Sequence, residues 1–261
     1  MDLLQEFGER KDELTTNEAV TLLQGAKRIA VLTGAGISAE SGIQTFRDAP
    51  DALWNRFDPA KLASMDGFKE DPQLVWDWYA QRIAEITMAQ PNAAHYALAK
   101  LAKHKPVALF TQNIDDLHER AGSITTHFHG DIVSARCFEQ HGPCGWVGNA
   151  NETVVRGTMP GCPKCESIAR PNVVWFGEML DSGIMASAKN EIWNADLIFI
   201  IGTSSVVEPV ASLVHTCAAP GSTIVSVNKR KVDHSPYADK TLTGLAGAVL
   251  SSIVDTAFPD A

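Results

Sequence analysis

The chain has 261 residues, of which 45% are hydrophobic and 20% charged, a balance that excludes extensive disorder and suits a globular enzyme. Twenty-two Lys and Arg face 31 Asp and Glu, a formal charge of -9, so the overall field repels nucleic-acid phosphates and favours basic protein tails as partners. The first 18 residues carry both charge signs without an apolar core, and no apolar run nears the roughly 20 residues that span a bilayer. A cytoplasmic protein that binds neither nucleic acid nor membrane is expected.

Thr16 to Gly25 places Ala19, Val20, Leu22 and Leu23 at helical intervals, with Gly25 as a stop. Arg28 to Thr33, Val107 to Phe110, Asp196 to Ile201 and Ser222 to Val227 read as short buried parallel strands, mostly separated by helix-sized stretches. That repetition predicts an α/β fold built on a Rossmann-like, doubly wound parallel sheet. Two insertions interrupt it. One, 46–90, carries Trp76, Trp78 and Tyr79 on a helical pattern, and the other, 131–173, carries a cysteine cluster. They are expected to form a smaller helical and zinc-binding domain, leaving 1–45, 91–130 and 174–261 to the Rossmann-like domain.

The first strand runs into Gly34-Ala35-Gly36, a glycine turn of the kind that lets backbone amides approach a pyrophosphate, where a Cβ would hold the phosphate away. Taken alone, such a turn is as often structural as nucleotide-binding. A dehydrogenase would continue with a second strand ending in an acidic residue about 20 positions on. Here Ile43-Gln-Thr-Phe-Arg-Asp-Ala-Pro follows, a loop-like stretch, which indicates a nucleotide held for a reaction other than hydride transfer.

Five cysteines are too few for a secreted disulfide scaffold of this length. Cys162 and Cys165 have the C-x-x-C spacing of a metal pair, and Cys137 with Cys144 supplies a second pair for a tetrahedral, purely structural zinc. A Cys₃His set using His141 is the alternative. Cys217, in an apolar helix-like stretch, reads as a core residue.

Together with TQNIDDLHERAG at 111–122, HFHG at 127–130 and RPNVVWFGE at 170–178, the glycine turn and paired cysteines resemble the sirtuins, NAD-dependent protein deacylases. The resemblance runs in order from about Ile29 to Ala246. It implies that an acyl-lysine oxygen attacks the NAD ribose carbon bearing nicotinamide, that nicotinamide leaves, and that the acyl group ends on ADP-ribose, so NAD is consumed. It implies His129 as catalytic base, assisted by Asn113. Gly34, Ala35, Gly36 and Ser38 would lie around the phosphates, and Phe46 and Arg47 on a loop over the cofactor. Gln112, Asn113, Ile114 and Asp115 would line the nicotinamide and ribose pocket, and Gly202, Thr203, Ser204, Asn228 and Ala246 the adenosine side. His129 owes this assignment to its place in HG after a strand-like segment, since its ordinary pKa near 6.5 suits a base but is shared by all eight histidines. His118 and His127 are expected to be supporting residues.

Val173 to Glu178, including Phe176 and Gly177, resembles the stretch that pairs with substrate peptide as an added strand. Tyr79 and Arg82, three apart on a helix, resemble the pair that binds the acyl carboxylate in sirtuins accepting succinyl and malonyl lysine; a guanidinium and a phenol suit a carboxylate, and acetyl lysine would also fit. Two other classes compete: transfer of ADP-ribose to a protein nucleophile, and a non-enzymatic nucleotide-sensing module. His129 and Asn113 together speak against the second.

Overall fold

The computed structural model describes residues 12–45, 53–139, 144–150, 154–156, 159–203, 208–229 and 238–259. After β1 (Asp12–Glu13), a capping box opens α1 (Thr16–Gly25): the Thr15 hydroxyl accepts from the Glu18 amide while the Glu18 carboxylate accepts from the Thr15 amide. β2 (Ile29–Thr33) follows and is wholly buried. Four helices come next: α2 (Leu53–Arg56), α3 (Pro59–Leu62), α4 (Met65–Glu70) and α5 (Pro72–Met88). α6 (Ala93–His104) leads to β3 (Val107–Thr111), then α7 (Leu117–Arg120) and β4 (Thr125–His127). Five short strands form the second insertion: β5 (Gly130–Cys137), β6 (Val147–Asn149), β7 (Val154–Arg156), β8 (Met159–Gly161) and β9 (Ala169–Val173). α8 (Ser182–Asn194), β10 (Leu197–Ile201), α9 (Val210–Cys217), β11 (Thr223–Asn228), β12 (Lys240–Thr243) and α10 (Ala246–Ala257) complete the chain.

The main sheet has the order β1-β12-β11-β10-β2-β3-β4, and every pairing is parallel. From β2 the chain builds outward through β3 and β4, then returns to the other side of β2 for β10, β11 and β12. The strand order therefore reverses between β2 and β10, where doubly wound sheets open a crevice at their carboxyl edge. Alternation of side chains fills both faces. Ile29, Val31, Leu197, Phe199 and Val225 meet α1, α6 and α10, while Ala30, Leu32, Ile198, Ile200 and Ile224 meet α8 and α9. The sequence-predicted helix and four strands all appear, shifted by at most a residue or so at their ends.

A third core lies outside the sheet, where Phe68, Trp76, Trp78 and Tyr79 of the helical insertion pack on Ile132 and Ala135 of β5, Ala169 of β9, and Trp175. α5 begins where Asp71 accepts the Leu74 amide and Pro72 occupies the first helical position. The Trp76 indole donates to the Ala169 carbonyl at 2.8 Å, tying the two insertions together. Among the described residues, no helix is long and apolar enough to cross a membrane.

Gly67 of α4 sits against α3 so closely that a Cβ would collide with the Lys61 carbonyl, whereas a Cβ on Gly25 meets nothing within 4 Å. Gly67→Ala is expected to cost about 1–3 kcal/mol by overpacking, with Gly25→Ala neutral or slightly stabilising. Thermal unfolding of the two variants checks this.

Candidate active site

At the reversal of strand order, the turns after β2 and β10 touch backbone to backbone. The Gly36 amide donates to the Gly202 carbonyl at 2.7 Å, and the Gly34 amide to Ile201. A Cβ on Gly36 would lie 2.7 Å from the Gly202 oxygen, one on Gly34 2.8 Å from Thr203 Cβ, and Gly202 itself has φ of +62°. The glycines are thus required first by this contact between turns. That requirement stands beside the phosphate-clearance reason expected from the sequence, and Gly34, Ala35, Gly202 and Thr203 all line the cavity that opens here.

The floor of the site is polar and internally tied. Ser38, 1% exposed, donates to Asp115 at 3.0 Å and accepts from the Asn113 side chain at 3.1 Å. Asp115 also accepts the Leu117 amide at 3.2 Å; burial nonetheless raises its pKa above the ordinary carboxylate value. Ser38 and Asp115 therefore act behind the wall, and Gln112, Asn113 and Ile114 form its surface. Gln112 reaches Thr203 at 3.2 Å, bridging β3 to β10, and Asn228, at the end of β11, donates to the Thr203 carbonyl at 3.4 Å. Ala246 starts α10 and is buried in the core, away from the cavity lining. Phe46, Arg47, Ser204 and His141 lie outside the described residues.

His129 enters the cavity from the turn between β4 and β5. Its Nδ1 faces the Gln112 carbonyl at 2.9 Å, which assigns the proton to Nδ1 and leaves Nε2 with a lone pair. Burial lowers its pKa below the usual imidazole value, and the Gln112 bond offsets this only in part, so the ring is neutral at pH 7. Gly130, next in sequence, has φ of +73° and no space for a Cβ beside the Asn172 carbonyl. The other two histidines are supports. His127 bonds the Asn113 carbonyl at 2.8 Å and Glu119 at 2.9 Å; burial alone would lower its pKa, but the Glu119 contact outweighs it and raises it. His118 is wholly buried against Thr33, with its pKa pushed down to about 3 by burial and by His95.

The cavity, about 230 Å³, continues from His129 into an apolar channel walled by Ala63, Trp78, Tyr79, Ile114, Val173 and Trp175. Tyr79 is 2% exposed and its hydroxyl accepts from the Trp175 indole at 3.0 Å; burial raises its pKa, so the phenol keeps its proton. Arg82 does not line this channel. It lies over the Trp78 ring, pairs with Glu85 and lines a separate hollow. β9 ends at Val173, and Val173, Phe176, Gly177 and Glu178, from the stretch expected to receive a peptide, all line the cavity. Gly177 turns with φ of +85°, and the Glu178 carboxylate is drawn back onto the Arg170 guanidinium by two 2.7 Å bonds and onto the Trp175 amide. Arg170 stacks 3.7 Å from the Trp175 ring centre, and Phe176 bridges to Ser64. Glu178 is thus a clamp that fixes Trp175.

Sequence reasoning gave no role to Arg170 and placed Trp175 only within the peptide-pairing stretch, without singling it out. Trp78 adjoins Tyr79, and the signal for it was the helical apolar pattern that already grouped Trp76, Trp78 and Tyr79. Ala63, Leu180, Glu208 and Pro209 also line the cavity, and nothing about their residue types marked them.

Cys137, Cys144, Cys162 and Cys165 bring their sulfurs within 4.8 Å of one another. The 3.3 Å and 3.6 Å contacts within the cluster fall a little short of the roughly 3.8 Å edge of a ZnS₄ tetrahedron with bonds near 2.3 Å. The Glu139 and Lys164 amides point at Cys137 and Cys162, as suits sulfurs carrying thiolate charge. The donor set fits zinc, with all four positions taken by sulfur.

Such a crevice in a parallel sheet, with a four-cysteine module beside it, defines a nucleotide-binding α/β protein of two-lobed architecture. The model of the Sir2 family matches residues 34–209, and the chain belongs to that family. The NAD-dependent protein deacylase 1 of Archaeoglobus fulgidus is 44% identical over 231 residues, covering 88% of this chain and 92% of its own. A crystal structure of a Sir2 homolog in complex with NAD is 40% identical with a TM-score of 0.85, covering 95% of this chain and 96% of that one. Sir2Af2 bound to a myristoylated histone peptide is 31% identical with a TM-score of 0.72, covering 93% and 95%.

Two outcomes are expected. Cys165→Ser lowers both bound zinc, measured by metal analysis, and the unfolding temperature, because the metal closes a loop of the fold. Gly36→Ala weakens NAD binding at least as much as stability, measured by calorimetric titration alongside thermal melts, because it separates the two turns.

Proposed function

We propose that the chain is an NAD-dependent protein-lysine deacylase that releases nicotinamide and O-acyl-ADP-ribose, with zinc as a structural metal. One observation carries this reading: a single cavity is lined both by the glycine turns of the nucleotide edge and by a set of apolar side chains, and His129 lines the same cavity with a bare Nε2. NAD would supply the ribose carbon that takes the acyl oxygen, and nicotinamide as leaving group. The apolar channel excludes water and directs an acyl-lysine side chain at that carbon. Asn113 and Gln112 border the ribose end, and His129 Nε2 accepts a proton from a ribose hydroxyl as that hydroxyl turns nucleophile toward the acyl carbon; the acyl C–N bond then breaks, lysine leaves as the amine, and one water is consumed to free O-acyl-ADP-ribose. Substrates are acylated-lysine proteins. The unpaired cysteines suit the reducing cytoplasm, where we place the protein.

The acyl group we assign is dicarboxylic, succinyl or malonyl, with acetyl also accepted. Tyr79 donates its phenolic hydrogen within the channel. Arg82, one turn on and separated from it by Trp78, supplies the cation when its side chain swings around that ring.

A panel of acyl peptides assayed for NAD-dependent nicotinamide release tests the whole reading, with His129→Ala as blank. Arg82→Met is expected to lower the succinyl-to-acetyl ratio of kcat/KM about tenfold or more, the loss of a charged hydrogen-bond pair. An unchanged ratio removes Arg82 from the reader. No nicotinamide release with any acyl peptide would refute the deacylase, and label from NAD retained on protein would favour ADP-ribosyl transfer. Because His129 must be neutral to act and its pKa is lowered, kcat/KM is expected to hold through neutrality and to fall on the acid side with a midpoint below 6.5.

A further inference from the structure

Arg82 is a buried cation whose bonding is half used. Its side chain is 10% exposed; one terminal nitrogen, Nη2, meets Glu85, and its Nε is buried with no hydrogen-bond partner among the described residues. Glu85 sits three residues on, a spacing at which a helix brings the two side chains together without any help from the rest of the fold. Its side chain is 45% exposed, so it remains largely hydrated while it holds the guanidinium. Both residues line a second hollow, beside Gln81 and Met88, whereas Tyr79 lines the acyl channel. Trp78 lies between, walling the channel with the guanidinium above its ring.

We propose that Glu85 is a built-in competitor for the acyl carboxylate, a specificity-determining residue that holds Arg82 outside the channel until a dicarboxylic acyl group takes it over. This rests on the reading of Arg82 as the acyl reader. A succinyl carboxylate inside the channel can accept from two guanidinium N–H groups at once, in a site that excludes water, while Glu85 offers one contact at a wet surface. The exchange therefore favours the substrate, at a cost equal to breaking the Glu85 pair. An acetyl group has no carboxylate, leaves Arg82 with Glu85, and is indifferent to the pair. Glu85 thus sets how far the enzyme discriminates between the two acyl classes.

The experiment measures kcat and KM on succinyl and acetyl versions of one peptide for wild type, Glu85→Gln, Arg82→Met and the double variant. Glu85→Gln is expected to raise the succinyl-to-acetyl ratio of kcat/KM about fivefold, through a lower succinyl KM, the factor set by losing one partly exposed ion pair. The rise should vanish in the Arg82→Met background, and Glu85→Asp, with a shorter reach but the same charge, should fall between. A merely structural role for Glu85 would move both peptides alike. If Arg82→Met lowers the ratio but Glu85→Gln leaves it unchanged or lower, the competitor is refuted and the reader stands. If neither substitution moves the ratio, both are refuted.

Discussion

The structure depends on the close approach of two turns at the reversal of strand order. Each parallel strand delivers its loop to the same edge of the sheet, but a ligand site forms only where neighbouring crossovers leave in opposite directions. There the turns after β2 and β10 press together through Gly34, Gly36 and Gly202, and the Gly36 amide closes on Gly202 at 2.7 Å. Because both sides are bare backbone, one edge of the cavity cannot drift relative to the other. Gln112 then bridges to Thr203, and Thr203 receives Asn228, so β3, β10 and β11 share one hydrogen-bonded rim.

Behind that rim lies a buried polar layer that aims the reacting groups. Thr33 donates to Thr111 at 2.8 Å, Thr111 accepts the Asn113 amide at 3.0 Å, and His118 meets Thr33 at 3.0 Å. Burial keeps His118 and His95 uncharged, their pKa values pushed down to about 3 and about 4, so the layer holds no unpaired cation. Asn113 is gripped at its amide by Thr111, at its carbonyl by His127 and at its side chain by Ser38. A residue held by both backbone groups and by its side chain presents a fixed face to a ligand, which is the form of preorganisation that a positioned catalytic group requires.

The parts of the fold that obey local rules were legible from the chain alone. Residues 29–33, 107–110, 196–201 and 222–227 are apolar runs buried on both faces, and their alternation between two helix layers leaves little freedom about where they go. The cysteine cluster was legible through its C-x-x-C spacing and thiol chemistry, although the sequence left His141 open as an alternative ligand. His129 was legible only through its neighbours, and the reason is now physical: the glycine after it is demanded by the Asn172 carbonyl, and its tautomer by Gln112. What escaped was whatever depends on long-range pairing. The Arg170 guanidinium beneath Glu178, a residue that also lines the cavity, was not legible, and Arg82 shares a helix face with Tyr79 yet turns to Glu85 and lines a different hollow.

β5 begins at the glycine beside the proposed base and ends at a cysteine of the metal cluster, eight residues and about 25 Å away. β9 runs antiparallel to it, from just past Cys165 back to the channel wall at Val173. The pair forms a beam supported at both ends, clamped by the parallel sheet near His129 and by four sulfurs at the far side. A beam held at one end swings, and held at two it can only bow. A metal held by those sulfurs, too distant to touch the chemistry, would thereby set the stiffness of the wall against which an acyl-lysine side chain is pressed.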